Sequence, residues 1–228
     1  GVAVDGVELA LDSLLQGVAG SATLLKDSRG RRFASPSEDG TAARPGHSVT
    51  LTINAGLQDI AERALGDAVT KMGAEGGDIV ILDPQSGAIR ALSSRRADPR
   101  ATAATALTEP YEPGSTLKPF IAAALLERGR ARADEQMNTF GGKWTYNGRT
   151  FEDDHKGASF TLAEVIRFSS NIGIVQFAQR LTPREQYEVL RDAGFGAPTG
   201  ATYPSESPGR LAPPKSWTQQ SSASLAMG

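Results

Sequence analysis

No cysteine occurs among the 228 residues, which excludes a thiol nucleophile, a disulfide framework, a C-x-x-C redox pair and Cys-ligated zinc. Histidine is almost as scarce. His47 and His155 stand far apart, so a histidine-rich metal centre and most imidazole acid–base chemistry are not expected. No run approaches the roughly 18 to 20 consecutive apolar residues of a membrane span, and no basic-then-apolar leader opens the sequence, so the chain as given reads as soluble. Neither sign of charge dominates. The 24 Lys and Arg against 26 Asp and Glu leave a net −2, and nothing global draws the protein to nucleic acid or an anionic membrane. What is present is globular: 39% hydrophobic and 22% charged residues, in a chain long enough to bury a sizeable core. Glycine (25) and proline (13) are plentiful, so loops should be too.

Val7 to Leu15 reads as one short helix, followed by a linker or small hairpin through Gly46. The charges of Lys26 to Arg32 read as turn chemistry around Asp27-Ser28-Arg29-Gly30 rather than a nucleic-acid patch. The alternation Val49-Thr50-Leu51-Thr52-Ile53 predicts a strand. Asn54 is the expected N-cap of an amphipathic helix carrying Leu57, Ile60, Ala61, Ala64, Leu65, Ala68, Val69 and Met72 to about Ala74. Residues 78–83 and 88–93 flank Pro84-Gln85-Ser86-Gly87 as a hairpin. Residues 94–110 read as a polar loop, and Ile121 to Glu127 as an apolar helix closed by Gly129. A loop with Gly141-Gly142 and Asn147-Gly148 follows, with Trp144 and Tyr146 as candidates for a small hairpin within it. Thr161-Leu162-Ala163-Glu164 is a capping box opening a helix to about Phe168. Ser169-Ser170-Asn171 interrupts it, Ile172 to Leu181 resumes, and Pro183 starts a helix through Arg191. Beyond that the chain reads as Gly/Pro-rich to its end.

Chemistry concentrates in two clusters. Ser115 and Lys118 lie three apart at the start of an apolar helix, where Cβ atoms are about 5 to 6 Å apart and a hydroxyl and an amine can share a proton. Lysine serves as a base only when neutral, and moving its pKa from about 10.4 to about 7 costs about 4 to 5 kcal/mol, which burial can supply. The first turn of a helix also favours a developing oxyanion. Gly114 permits close approach of a substrate, and Pro119 suits a helix start. A serine three residues before a lysine arises by chance about once in a chain of this composition. The second cluster, Ser169-Ser170-Asn171, reads by itself as a helix–helix corner with local caps. It also sets a hydroxyl and a carboxamide two apart, where one can relay a proton and the other bind an amide.

The run Tyr111-Glu112-Pro113-Gly114-Ser115-Thr116-Leu117-Lys118-Pro119-Phe120, followed by Ser169-Ser170-Asn171-Ile172-Gly173, resembles the transpeptidase domain of class B penicillin-binding proteins, which cross-link bacterial peptidoglycan. Leu51-Thr52-Ile53-Asn54 before Leu57-Gln58, the hairpin with Asp83-Pro84 and Ser86-Gly87, and Gly194-Phe195-Gly196 support the resemblance, which covers residues 45–228. Residues 1–44 resemble the end of a non-catalytic pedestal domain and its linker, and the insert around Trp144 resembles the division-type branch.

The resemblance implies an α+β penicillin-binding or serine β-lactamase-like fold, helices packed on an antiparallel sheet, incomplete at the C-terminus. It implies a peptidoglycan D,D-transpeptidase acting on D-Ala-D-Ala stem peptides and acylated by β-lactams. Ser115 would be the nucleophile, Lys118 its general base, Ser169 a proton relay to the leaving amine, and Asn171 the group that binds the substrate amide. No cofactor or metal is implied. Partners would be the stem peptide, β-lactam antibiotics, and other cell-wall synthesis or division proteins. Nucleic acid is not among them, and the membrane is reached only through an anchor outside this chain, on the extracytoplasmic face. One departure stands out: the family's third motif, Lys-Thr/Ser-Gly, is absent, and Lys215-Ser216-Trp217 fails at the glycine. A missing oxyanion donor costs about 10² to 10³ in rate, so a non-catalytic fragment is one alternative. A serine β-lactamase-like hydrolase is the other, with Glu185 and Glu188 after Asn171 but no Glu-x-x-Leu-Asn pattern.

Overall fold

A computed structural model describes residues 6–22, 24–34, 40–98, 103–218 and 220–228. They form two compact units, Gly1–Glu109 with Gly200–Glu206, and Pro110–Thr199 with Ser207–Gly228.

In the first unit the expected single helix is two short ones, α1 (Gly6–Ala10) and α2 (Asp12–Leu15). They are separated at Leu11, whose φ of −110° and ψ of 10° lie off the helical values. β1 (Ser21–Ala22) pairs with β4 (Gly40–Thr41), and β2 (Leu24–Lys26) pairs with β3 (Arg32–Ala34), both antiparallel. The turn between β2 and β3 is the one expected from its composition: Asp27 Oδ1 accepts from the backbone N–H groups of Arg29 and Arg31, both at 2.9 Å.

The strand expected over residues 49–53 does not form. The segment touches the next hairpin only locally, with Thr52 Oγ1 donating to Ile89 O at 2.7 Å and Asn54 N to Arg90 O at 2.8 Å. Alternation without a row of partners gives no ladder. α3 (Ala55–Met72) is capped as expected, Asn54 accepting from Leu57 N at 3.0 Å, and ends at Gly73, whose φ of 59° suits glycine. Its buried residues Ala61, Leu65 and Val69 recur every four positions, one stripe of a helix. The stripe covers the antiparallel hairpin of β5 (Gly76–Leu82) and β6 (Ile89–Arg96). At Gly77 a Cβ would already press Leu65 Cδ1 at 3.0 Å. Within the expected polar loop, β6 runs on to Arg96 and Thr105–Thr108 forms a short α4.

The second unit begins with a 3₁₀ turn, Gly114–Leu117, that runs into α5 (Lys118–Glu127). β7 (Gln136–Asn138) pairs antiparallel with β10 (Ser159–Thr161). β8 (Lys143–Tyr146) pairs with β9 (Arg149–Glu152) across Asn147-Gly148, both at positive φ, as a two-residue I′ turn demands. α6 (Leu162–Arg167) and α8 (Pro183–Asp192) each carry a complete capping box, Thr161 with Glu164 and Thr182 with Glu185. Between them runs α7 (Asn171–Ala178), whose Ile172, Ile174, Val175, Phe177 and Ala178 sit in the middle of the core with Ile121, Leu125 and Val165. The region expected to be Gly/Pro-rich throughout ends in α9 (Ser221–Met227), whose Ala226 is fully buried. Its string of small residues has too little periodicity to announce it. Lys215-Ser216 lies in a 3₁₀ turn, not a strand. The fold is α+β, with α3 on an antiparallel pair in one unit and a helical core edged by two short antiparallel pairs in the other.

Candidate active site

All four candidate residues converge at the junction of the 3₁₀ turn, α5 and the corner between α6 and α7. Lys118 is 1% exposed. An ammonium group has three N–H donors, and each has an acceptor: Ser169 O at 2.6 Å, Asn171 Oδ1 at 2.7 Å and Ser169 Oγ at 3.0 Å. Ser169 Oγ in turn donates to Ser115 Oγ at 2.8 Å. The amine and the nucleophile candidate, expected to share a proton directly, are thus linked through the hydroxyl of Ser169. Ser115 and Ser169 are exposed while Lys118 is not, so the chain of hydrogen bonds runs from a dry amine to a wet hydroxyl. Burial pushes the Lys118 amine below the ordinary lysine range, and the negative charges of Asp153 and Asp154 act against that shift.

The corner is built by two helix ends. Ser169 N donates to Ile166 O at 3.3 Å and Ser170 N to Val165 O at 2.9 Å, the two bonds of a Schellman end to α6. That motif requires left-handed backbone at Ser169, and its φ is 56°. With this twist the carbonyl and the hydroxyl of one residue both face Lys118. Ser170 then caps α7, accepting from Gly173 N at 2.9 Å. Asn171 uses both ends of its amide, Oδ1 on Lys118 and Nδ2 donating to Glu152 O at 3.1 Å.

Sequence reasoning missed Asp153. The residue is 5% exposed and accepts from Ser170 Oγ at 2.5 Å, Asn171 N at 2.6 Å and Ile172 N at 3.0 Å. The only sequence signal for it is an acidic residue directly after a strand, which is equally a surface turn. Other titratable candidates lie elsewhere. Exposed His155 stacks on Phe168 with centroids 4.1 Å apart. Glu185 belongs to the capping box of α8, and Glu188 pairs with Arg184 at 2.7 Å.

Residues 77–228 match the family described as "Penicillin binding protein transpeptidase domain". A probable peptidoglycan D,D-transpeptidase PbpC of Pseudomonas aeruginosa is 34% identical over 233 residues, spanning 98% of this chain and 41% of that protein. Among solved structures, a peptidoglycan synthetase of Bifidobacterium adolescentis superposes with a TM-score of 0.82 at 28% identity, over 99% of this chain and 42% of that one. The transpeptidase domain of penicillin-binding protein 3 from Burkholderia pseudomallei does so at 0.73 and 30% identity, over 81% of this chain and 54% of that one. The chain therefore spans less than half the length of the curated relative. The family match covers both serine clusters and the lysine between them, and the chain belongs to the penicillin-binding protein transpeptidase family.

Proposed function

We propose that the chain is the part of a peptidoglycan D,D-transpeptidase that carries its nucleophile, and that it acts by serine acyl transfer on D-Ala-D-Ala stem peptides. The observation that carries this reading is the path Lys118–Ser169–Ser115, a desolvated amine joined by one hydroxyl to an exposed one. Ser115 Oγ attacks the carbonyl carbon of the penultimate D-Ala. Its proton moves to the Ser169 oxygen as the Ser169 proton moves to neutral Lys118. The tetrahedral adduct then expels the terminal D-Ala amine, which takes a proton back along the same route, and leaves an ester on Ser115. The amine of a second stem peptide attacks that ester, giving the cross-link and restoring the serine. Asn171 has two amide N–H groups, one on Glu152 O; the other is assigned to the substrate.

A β-lactam ring presents the same carbonyl chemistry and would acylate Ser115. The catalytic part works on the extracytoplasmic face, reached by an anchor outside this chain, in company with other cell-wall synthesis or division proteins. Residues 1–44 belong to the end of a pedestal domain, and 45–228 to the transpeptidase domain.

A fluorescent penicillin followed by intact mass tests the reading. A stable adduct on Ser115, lost in Ser115→Ala, is expected. Rapid turnover would mean a β-lactamase-like hydrolase, absence of any adduct a non-catalytic chain, and an adduct elsewhere a wrong site; each overturns it.

A further inference from the structure

Among the described residues, the acyl-transfer path leaves the buried carboxylate of Asp153 without a role. Asp153 follows β9 and turns its carboxylate onto the start of α7, where Oδ1 accepts from Asn171 N and Ile172 N and Oδ2 from Ser170 Oγ. A buried carboxylate is stable only when its oxygens have donors, and the first N–H groups of a helix favour an anion. Three successive residues, Ser170, Asn171 and Ile172, are tethered to that one group. Asn171 and the neighbouring Ser169 carry all three oxygens that receive Lys118.

We propose that Asp153 is a positioning residue for acyl transfer, fixing the start of α7 so that Ser169 and Asn171 stay on Lys118 and holding its negative charge against Asn171, the residue whose side chain receives the amine. This rests on the acyl-transfer reading above. The charged groups acting on Lys118 are Asp153 and the exposed Asp154, both on the segment after β9. α7 carries none, β9 holds Arg149 and the ion-paired Glu152, and His155 and Lys156 lie next along the exposed loop. Loss of the Asp153 charge lets the amine shed its proton at lower pH, while loss of its oxygens frees the corner.

The test is the second-order rate of acylation by a fluorescent penicillin as a function of pH, measured on the full chain. Asp153→Asn keeps an acceptor for the helix N–H groups and removes the charge, so its acid limb should move to lower pH. Asp153→Ala removes both and should slow acylation by about 10-fold or more across the range, as misplacement of reacting groups does. An Asn variant whose pH profile overlays the unaltered chain, or a folded Ala variant with unaltered rate, overturns the proposal. Should the Ala variant fail to fold, the Asn profile decides. If the unaltered chain forms no adduct at Ser115, the acyl-transfer reading fails instead. The Lys118 titration followed by NMR of ¹³C-lysine then decides for Asp153, an unmoved midpoint in Asp153→Asn counting against it.

Discussion

Ser169 holds a φ of 56° at a helix end where glycine is the usual residue. A non-glycine residue in left-handed backbone costs about 1 to 2 kcal/mol, so the side chain must do something glycine could not. Its hydroxyl is the link between Lys118 and Ser115. Ser169→Gly is therefore expected to leave the urea midpoint unchanged or raise it, while acylation falls by about 10² or more, the usual scale of a lost proton-transfer group. Equal losses in both would mean that the serine is only structural. At Lys118, burial lowers the pKa, so the neutral amine that the proposed base role requires forms below the ordinary value of about 10.4. Acylation should rise with pH to a midpoint below that value. Lys118→Arg, whose guanidinium keeps its proton, should abolish the rise; an arginine variant with the same profile would remove Lys118 as the base.

Among the elements, α6 and α8 depend on caps that can be removed singly. Thr161→Ala deletes an oxygen that accepts from Glu164 N at 3.2 Å and should cost about 1 kcal/mol in chemical denaturation, with a similar loss for Thr182→Ala. The crossing of α6 and α7 depends on Gly173, where a Cβ would collide with Val165. Gly173→Ala should destabilise by about 1 to 3 kcal/mol through overpacking, a neutral result meaning that the two helices can part. The hairpin of β5 and β6 is pinned by Asp83, which accepts from the N–H groups of Gln85 and Ser86 and pairs with Arg90 at 3.0 Å. The Arg90 hydrogen bond, with the two backbone donors, lowers the Asp83 pKa to about 2. A depressed carboxylate stabilises above its unfolded pKa of about 3.9, and that contribution is lost as pH falls through the folded value. An NMR titration of the Asp83 carboxyl carbon should show that low midpoint, and Arg90→Ala should raise it.

Across the whole molecule, burial is uneven. The largest group of buried side chains lies in the second unit, in α5, α6 and α7, while β1, β2 and β4 are exposed along their length. Opening free energies follow buried contact, so native-state hydrogen exchange should be slowest in α5 and α7 and fastest in the strands before Thr41. Uniform protection would contradict that distribution. Phe177 is fully buried in the second unit, and Phe177→Ala should cost about 3 to 5 kcal/mol. Chemical denaturation with a probe in that unit measures the loss.

The sequence by itself determined what local chemistry can specify. Asn54, Thr161 and Thr182 cap helices because a side-chain oxygen three residues upstream meets an orphan N–H wherever the helix sits. Asn147-Gly148 makes a hairpin because both residues tolerate positive φ. The two serine clusters and Lys118 were legible as motifs for the same reason, since residue type and short spacing carry them. Tertiary structure decided everything that depends on long-range neighbours. Residues 49–53 alternate like a strand but lack a row of partners, and α9 has little pattern of its own yet buries Ala226 completely. Ser115 reaches Lys118 by way of Ser169, more than fifty positions along the chain, and Asp153 becomes a buried anchor only because the chain leaves β9 at the first turn of α7. Short-range hydrogen bonds are written in adjacent residues, whereas desolvation and the meeting of distant groups exist only once the chain has closed on itself.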